Sequence, residues 1–156
     1  MRNKAAALLS LFAVLAIGVS PVLAGNPHLV RVGGSLDEGT RRLSVTYKIA
    51  GLGNGQYDTF SLDADYYIDF FCVHKNGSRQ ADNNGKPFRS PRTGTIAEQV
   101  SVADKYGMVN GRLSVRLAPP ICTAGQAWSP EITDIHFNWA RGRHSAGADV
   151  MDLIWE

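Results

Sequence analysis

The sequence has few cysteines, little charge imbalance and no helical periodicity, and each shortage excludes something. Only two cysteines occur, Cys72 and Cys122. Two distant thiols do not make a zinc site, and His28, His74, His136 and His144 add no clustered Cys/His or His-X-X-X-His spacing. No metal or other cofactor is therefore expected. No Gly-X-Ser-X-Gly turn is present, so the nucleophile elbow of a hydrolase is missing. Asp134 and His136 share strand parity, but no nucleophile spacing accompanies them. No segment sustains an apolar period of 3.6 residues, and no capping residue precedes an apolar run, which argues against helices. Repeats and low-complexity tracts are absent too.

The first residues carry the clearest positive signal. Arg2 and Lys4 precede an apolar run from Ala5 to Val19, Ser20-Pro21 break it, and Val22-Leu23-Ala24 supplies small residues. That order of charged, apolar and small residues is a secretory signal peptide. The run is shorter than the roughly 20 residues that span a bilayer. Residues 1–24 are expected to be cleaved, leaving 25–156 as one domain. No cysteine follows Ala24, so no lipid anchor is expected there, and no later segment of the mature chain can cross a membrane. The whole chain has 16 basic and 14 acidic residues. Loss of Arg2 and Lys4 with the signal reduces the 16 basic residues to 14, equal to the 14 acidic ones. Net charge then gives no case for nucleic acid. In a secreted or periplasmic compartment Cys72 and Cys122 are expected to pair, closing a long loop worth roughly 4 kcal/mol in the chain-entropy model.

The remainder alternates between strands and turns. Leu43, Val45, Tyr47 and Ile49 interleave with Arg42, Ser44, Thr46 and Lys48, as in a strand with one buried face. Gly51-Leu52-Gly53-Asn54-Gly55 suits a tight reversal. Phe60, Leu62, Ala64, Tyr66, Ile68, Phe70 and Cys72 then hold one parity for longer than a usual strand. This predicts a bend near Ala64–Asp65, or passage between two sheets. Residues 75–93 read as a long loop with room for a short hairpin. Strands follow over 95–103, 109–117, 132–139 and 148–155, with a turn at Asp104–Gly107 and a stop at Pro119-Pro120. The expected fold is all-β: an immunoglobulin-like β-sandwich of about seven to eight antiparallel strands with one disulfide. A closed barrel is the alternative.

Several features occur in a fixed order: Gly51-Leu52-Gly53-Asn54, Cys72, Asn76-Gly77, Pro87, Gly111, Pro119-Pro120, Cys122 and Gly125-Gln126. Over residues 43–139 this pattern resembles a group of small exported bacterial proteins of unknown function. The resemblance implies a disulfide-bonded β-sandwich and no particular activity. The Asp-rich stretch before Cys72 and the Trp-bearing C-terminal part depart from it.

Three surfaces are candidates for function. Lys75, Arg79, Lys86, Arg89 and Arg92 surround Phe88 and face one acid, Asp82, in a segment suited to gripping a polyanion. Arg141 and Arg143, with His144, form a second basic cluster. Trp128, in a turn before Pro130, is the best placed of Trp128, Trp139 and Trp155 to stack on a sugar. Trp139 shares the parity of Ile135 and Phe137 and should be buried. Asp63, Asp65 and Asp69 share the parity opposite the apolar series and read as a solvated face that discourages edge pairing, rather than as a calcium site. The functional expectation is an exported, non-enzymatic binding module that contacts an anionic glycan or envelope component through its basic loop. The alternatives are a small envelope-polymer hydrolase using a carboxylate pair, and an inhibitor of a protease or lysozyme.

Overall fold

In the computed structural model, which describes residues 25–156, the alternating segments become strands of two sheets. The first sheet holds β1 (His28–Asp37), β2 (Arg42–Ala50), β6 (Val109–Arg116) and β9 (Ile154–Trp155), in the order β6-β2-β1-β9. The second holds β3 (Tyr57–His74), β4 (Arg79–Gln80), β5 (Phe88–Val102), β7 (Trp128–His144) and β8 (Val150–Asp152). β3 is its centre, paired with β7 on one side and with β4 and β5 on the other, and β8 lies beyond β7. Only β1 and β9 run parallel. The expected signal segment, residues 1–24, lies outside the described residues.

The two sheets share one core. Leu43, Val45, Tyr47 and Ile49 of β2 face Phe60, Leu62, Ala64, Tyr66 and Ile68 of β3. Tyr47 stacks on Phe60 with ring centroids 3.9 Å apart and planes 4° from parallel. Burying each such large side chain stabilises the fold by about 1.5–3 kcal/mol. The packing leaves no room at Gly142, where a Cβ would come within 2.6 Å of the Phe60 ring.

The long apolar series of β3 stays in one sheet for 18 residues. It neither breaks nor passes between layers, because both of its edges are paired throughout most of its length. The irregularities fall in its partners instead. Ile96 on β5 and Asn138 on β7 are bulged out of register on either side of Ala64–Asp65, and bulges bend and twist a ladder locally. The central position of β3 also removes edge protection as the reason for its aspartates. The Gly51–Gly55 segment is not a hairpin: it carries the chain from β2 in one sheet to β3 in the other. Gly51 (φ 82°) packs so closely on Asn26 that a Cβ would come within 2.3 Å of its carbonyl oxygen.

Residues 75–93 are less of a loop than expected. β4 pairs with the end of β3 through the Asn76-Gly77 turn, and β5 already begins at Phe88. Cys72 and Cys122 are bonded, with Cα atoms 5.8 Å apart. The bridge runs from the end of β3 to the loop between β6 and β7, not between two strands. A disulfide fits an oxidising, extracellular or periplasmic compartment. No described helix is long and apolar enough to cross a membrane.

Candidate functional site

The outer face of the five-stranded sheet collects most of the residues singled out from the sequence. Arg89 on β5 donates from Nε and Nη2 to the two carboxylate oxygens of Asp69, each at 2.9 Å, and its guanidinium lies 3.7 Å from the centre of the Tyr67 ring. Arg79 on β4 covers Phe71 at 3.9 Å and pairs with Glu131. Arg141 lies over Trp139 and pairs with Asp152 at 2.7 Å. Arg143 donates to Asp63 at 2.7 Å. Burial raises the Asp63 pKa, but hydrogen bonds from Thr95 and Arg143 outweigh it and hold the carboxyl below its ordinary value. Four of the expected polyanion-gripping cations are thus neutralised by neighbouring acids. Lys75, Lys86 and Arg92 are exposed and form no ion pair among the described residues.

The aromatic candidates are separated. Trp139 is on the outer face opposite Asp65, because the bulge at Asn138 reverses the parity it would have shared with Phe137. Trp128 is not in a turn. It is the first residue of β7, half-buried, with its ring centre 5.0 Å from that of His74. Trp128 pairs opposite His74 and Trp139 opposite Asp65, so about 30 Å of strand separates them. Trp155 packs on Phe137 at the edge of the other sheet. No shared stacking platform results. Phe88, 5.7 Å from Phe70 between ring centres, lines a hollow of about 470 Å³ with Cys72, Arg89 and Ile121.

The concentration of positive charge lies elsewhere, on the outer face of the four-stranded sheet. The inward residues of β2 and β6 are apolar, so Arg42 and Lys48 on β2 and Arg112 and Arg116 on β6 point outward, with Arg31 on β1 beside them. Two pairs of like charges sit directly across the ladder: Arg31 opposite Lys48, and Arg42 opposite Arg116. Such pairs destabilise a sheet. Asp37 opposite Arg42, and Glu156 paired with Arg31, are the acids of this face. Between the cations are Ser44, Thr46, Asn110 and Ser114, short polar groups that leave the surface flat. A depression of about 450 Å³ is lined by Arg31, Lys48, Arg112, Thr46 and Asn110. Gly111 faces inward opposite Tyr47, where any side chain would run into the buried tyrosine ring. These cations are spread over three strands and never adjacent in sequence. Only the pairing of β1, β2 and β6 brings them together.

His144 is not part of an exposed basic cluster. Its side chain is fully buried, as is that of Asp58. Nδ1 lies 2.8 Å from Asp58 Oδ2, and Nε2 lies 2.7 Å from Asp149 Oδ1. Asp58 Oδ1 also accepts from the Ser145 hydroxyl and from the amides of Thr59, Ser145 and Ala146. Burial pushes Asp58 up, yet hydrogen bonds from Ser145, His144 and Ala146 together carry it below the ordinary carboxylate value. Asp149 behaves alike: burial raises it, and the Leu29 amide and His144 lower it further. The serine bonds the aspartate and not the imidazole, and both ring nitrogens are engaged by carboxylates. The cluster therefore fastens β1, β3, β7 and the segment after β7, and it offers no nucleophile. Asp63, Asp65, Asp69 and Asp134 lie on an open sheet face, and every resolved carboxylate shift in the described residues is downward. Among those residues no group of three or more His, Cys, Asp or Glu side chains could hold a metal ion.

Comparison with family models, with curated proteins and with solved structures gives no match.

Proposed function

We propose that this is an exported, non-enzymatic module that binds an anionic glycan or envelope polymer on the outer face of its four-stranded sheet. The observation that carries the reading is the excess of cations there: Arg31 pairs with Glu156, but Arg42, Lys48, Arg112 and Arg116 form no ion pair among the described residues, and Arg42 lies directly opposite Arg116. An anionic chain laid along the face supplies the missing counter-charge, and the floor of serine, threonine and asparagine supplies hydrogen bonds to hydroxyl groups. The basic loop proposed from the sequence is the weaker contact surface, since four of the cations grouped with it are already paired. The hydrolase alternative lacks support: it needs a carboxylate with a raised pKa in a cleft, and the acids are paired, lowered or solvated.

The strand order supports the immunoglobulin-like reading of the fold. β1, β2 and β6 adjoin in one sheet, while β3, β7 and β8 adjoin in the other. This matches the ABE and CFG sets of that sandwich, with β5 added beside β3. The parallel β9 is an addition to the pattern. The N-terminal signal pattern and the disulfide both agree with export.

Heparin serves as a test polyanion, with neutral dextran as the control. Binding to heparin should weaken steeply with added salt, since exposed charges are screened over about 10 Å at 0.1 M ionic strength. Lys48→Glu with Arg112→Glu should weaken heparin binding by at least about tenfold, at about 1 kcal/mol per cation facing an anionic surface. Lys75→Glu with Lys86→Glu should leave it within about twofold of the wild type on the same scale. The reverse ranking of the two double variants, or binding indifferent to salt, overturns the proposal.

A further inference from the structure

We propose that the outer face of the four-stranded sheet holds a seat for one carboxylate of its polymer ligand, as in a uronic-acid chain. The protein's own Glu156 fills this seat until the ligand displaces it. The inference rests on the reading of that face as the polyanion-binding surface.

The seat begins with Gly33 on β1. Its register partner is Thr46, which alternates with the buried Val45 and Tyr47 and so points outward. The missing side chain of Gly33 therefore leaves a gap on the outer face. Gly33 is nevertheless buried, because Glu156 lies over it. A Cβ at Gly33 would come within 2.8 Å of Glu156 Oε1 and 3.4 Å of Thr46 Oγ1. The same carboxylate oxygen accepts from Nη2 of Arg31. One anionic oxygen thus rests on bare backbone, against a guanidinium and close to a hydroxyl. Arg31 and Thr46 also line the depression shared by Lys48 and Arg112, so the seat opens into the cationic surface.

The present occupant is held by its backbone more than by its charge. Leu153 is buried against Gly34, β9 pairs with β1 at Gly33 and Gly34, and the Glu156 amide donates to the Gly34 carbonyl at 2.9 Å. The Arg31 and Glu156 side chains are both exposed, and exposed ion pairs hold weakly in water. The Glu156 side chain is therefore free to swing out while its backbone stays in place, and one carboxylate gives way to another. A carboxylate fits the seat because it is planar: it lies flat on the glycine and offers two oxygens to the guanidinium fork. The extra oxygens of a tetrahedral sulfate hold it off the floor.

The test measures affinity for polygalacturonate, a polymer of uronic acid, by calorimetry at low salt. Glu156→Ala empties the seat and should bind about fivefold more tightly than the wild type, the effect of about one charge facing an anionic surface. Glu131→Ala breaks the matching exposed ion pair, with Arg79, on the other sheet. It removes the same charge but should stay within about twofold of the wild type, since distant exposed charges are screened. Gly33→Ala fills the seat: Gly33 has no positive φ, and the methyl group meets only the end of a flexible side chain. Added to Glu156→Ala, it should return polygalacturonate affinity to the wild-type level or below. Dextran sulfate should bind the Glu156→Ala and Gly33→Ala/Glu156→Ala proteins within about twofold of each other. No gain from Glu156→Ala, an equal gain from Glu131→Ala, or no loss on adding Gly33→Ala overturns the seat. An equal loss of dextran sulfate binding on adding Gly33→Ala overturns its assignment to a carboxylate. Heparin separates these failures from failure of the face: a wild type that does not bind heparin sinks the face and the seat together, whereas one that does leaves the seat alone to be judged by the variants.

Discussion

At the scale of single residues, the buried Asp58–His144–Asp149 cluster is the most consequential polar feature. Removing one partner from a buried hydrogen-bonded network leaves the others unsatisfied, at a cost of about 1–3 kcal/mol per group. His144→Ala should therefore lower the urea midpoint by an amount corresponding to that range, and should do so without altering heparin binding. The lowered pKa values of Asp58 and Asp149 set the pH dependence. A carboxyl that binds its proton less readily when folded stabilises the fold above its unfolded pKa of about 3.9 and loses that contribution as pH falls through the lower folded value. Acid should thus unfold the protein below about pH 4, and Asp58→Asn should flatten the dependence of the urea midpoint on pH there. The sequence reading groups His144 with Arg141 and Arg143 as one basic cluster, although strand alternation separates it from them and turns the histidine inward. The carboxylates that meet it are 86 and 5 residues away, and no local spacing announces contacts of that kind.

At the scale of elements, period-two patterns located the strands well but misassigned faces wherever a bulge intervened. β2 and β6 contain no irregularity, and their inward and outward residues fall as the alternation predicts. β7 has bulges at Thr133 and Asn138, so parity counted from Ile135 fails at Trp139. β1 carries no legible alternation: Gly33-Gly34 interrupts its apolar series, and Val30 is bulged. The bulge at Asn138 makes a prediction that a plain strand would not. Deleting Asn138 leaves Phe137 inward, Trp139 outward and Ala140 inward, an unbroken alternation. The shortened chain should fold and lose only about 1 kcal/mol with the hydrogen bond from Asn138 to Asp65. Deleting Ser44 from β2 has the opposite consequence, because every side chain beyond it changes face. Circular dichroism and thermal melts of the two deletions should separate them: a cooperative β-sheet transition for the first and none for the second.

At the scale of the whole molecule, residues 25–156 are balanced in number of charges but not in their placement. On the five-stranded sheet the acids meet cations, Asp63 with Arg143 and Asp69 with Arg89, whereas the outside of the other sheet sets Arg31, Arg42, Lys48, Arg112 and Arg116 against two acids, Asp37 and Glu156. Composition reports the zero sum. The local excess appears only after the chain has sorted its strands into two sheets, which is why a charge count gives no indication of it. This arrangement also separates the proposed binding face from the covalent reinforcement. The Cys72–Cys122 bond lies at the end of β3, in the five-stranded sheet, and joins it to the loop after β6. Replacing both cysteines by serine should lower stability by up to roughly 4 kcal/mol, the chain-entropy value for a loop of this length. At a temperature where the variant is still folded by circular dichroism, its affinity for heparin should equal that of the wild type. If the folded variant instead loses heparin affinity, the polyanion contacts the disulfide-tethered loop, and the flat basic face is not the contact surface.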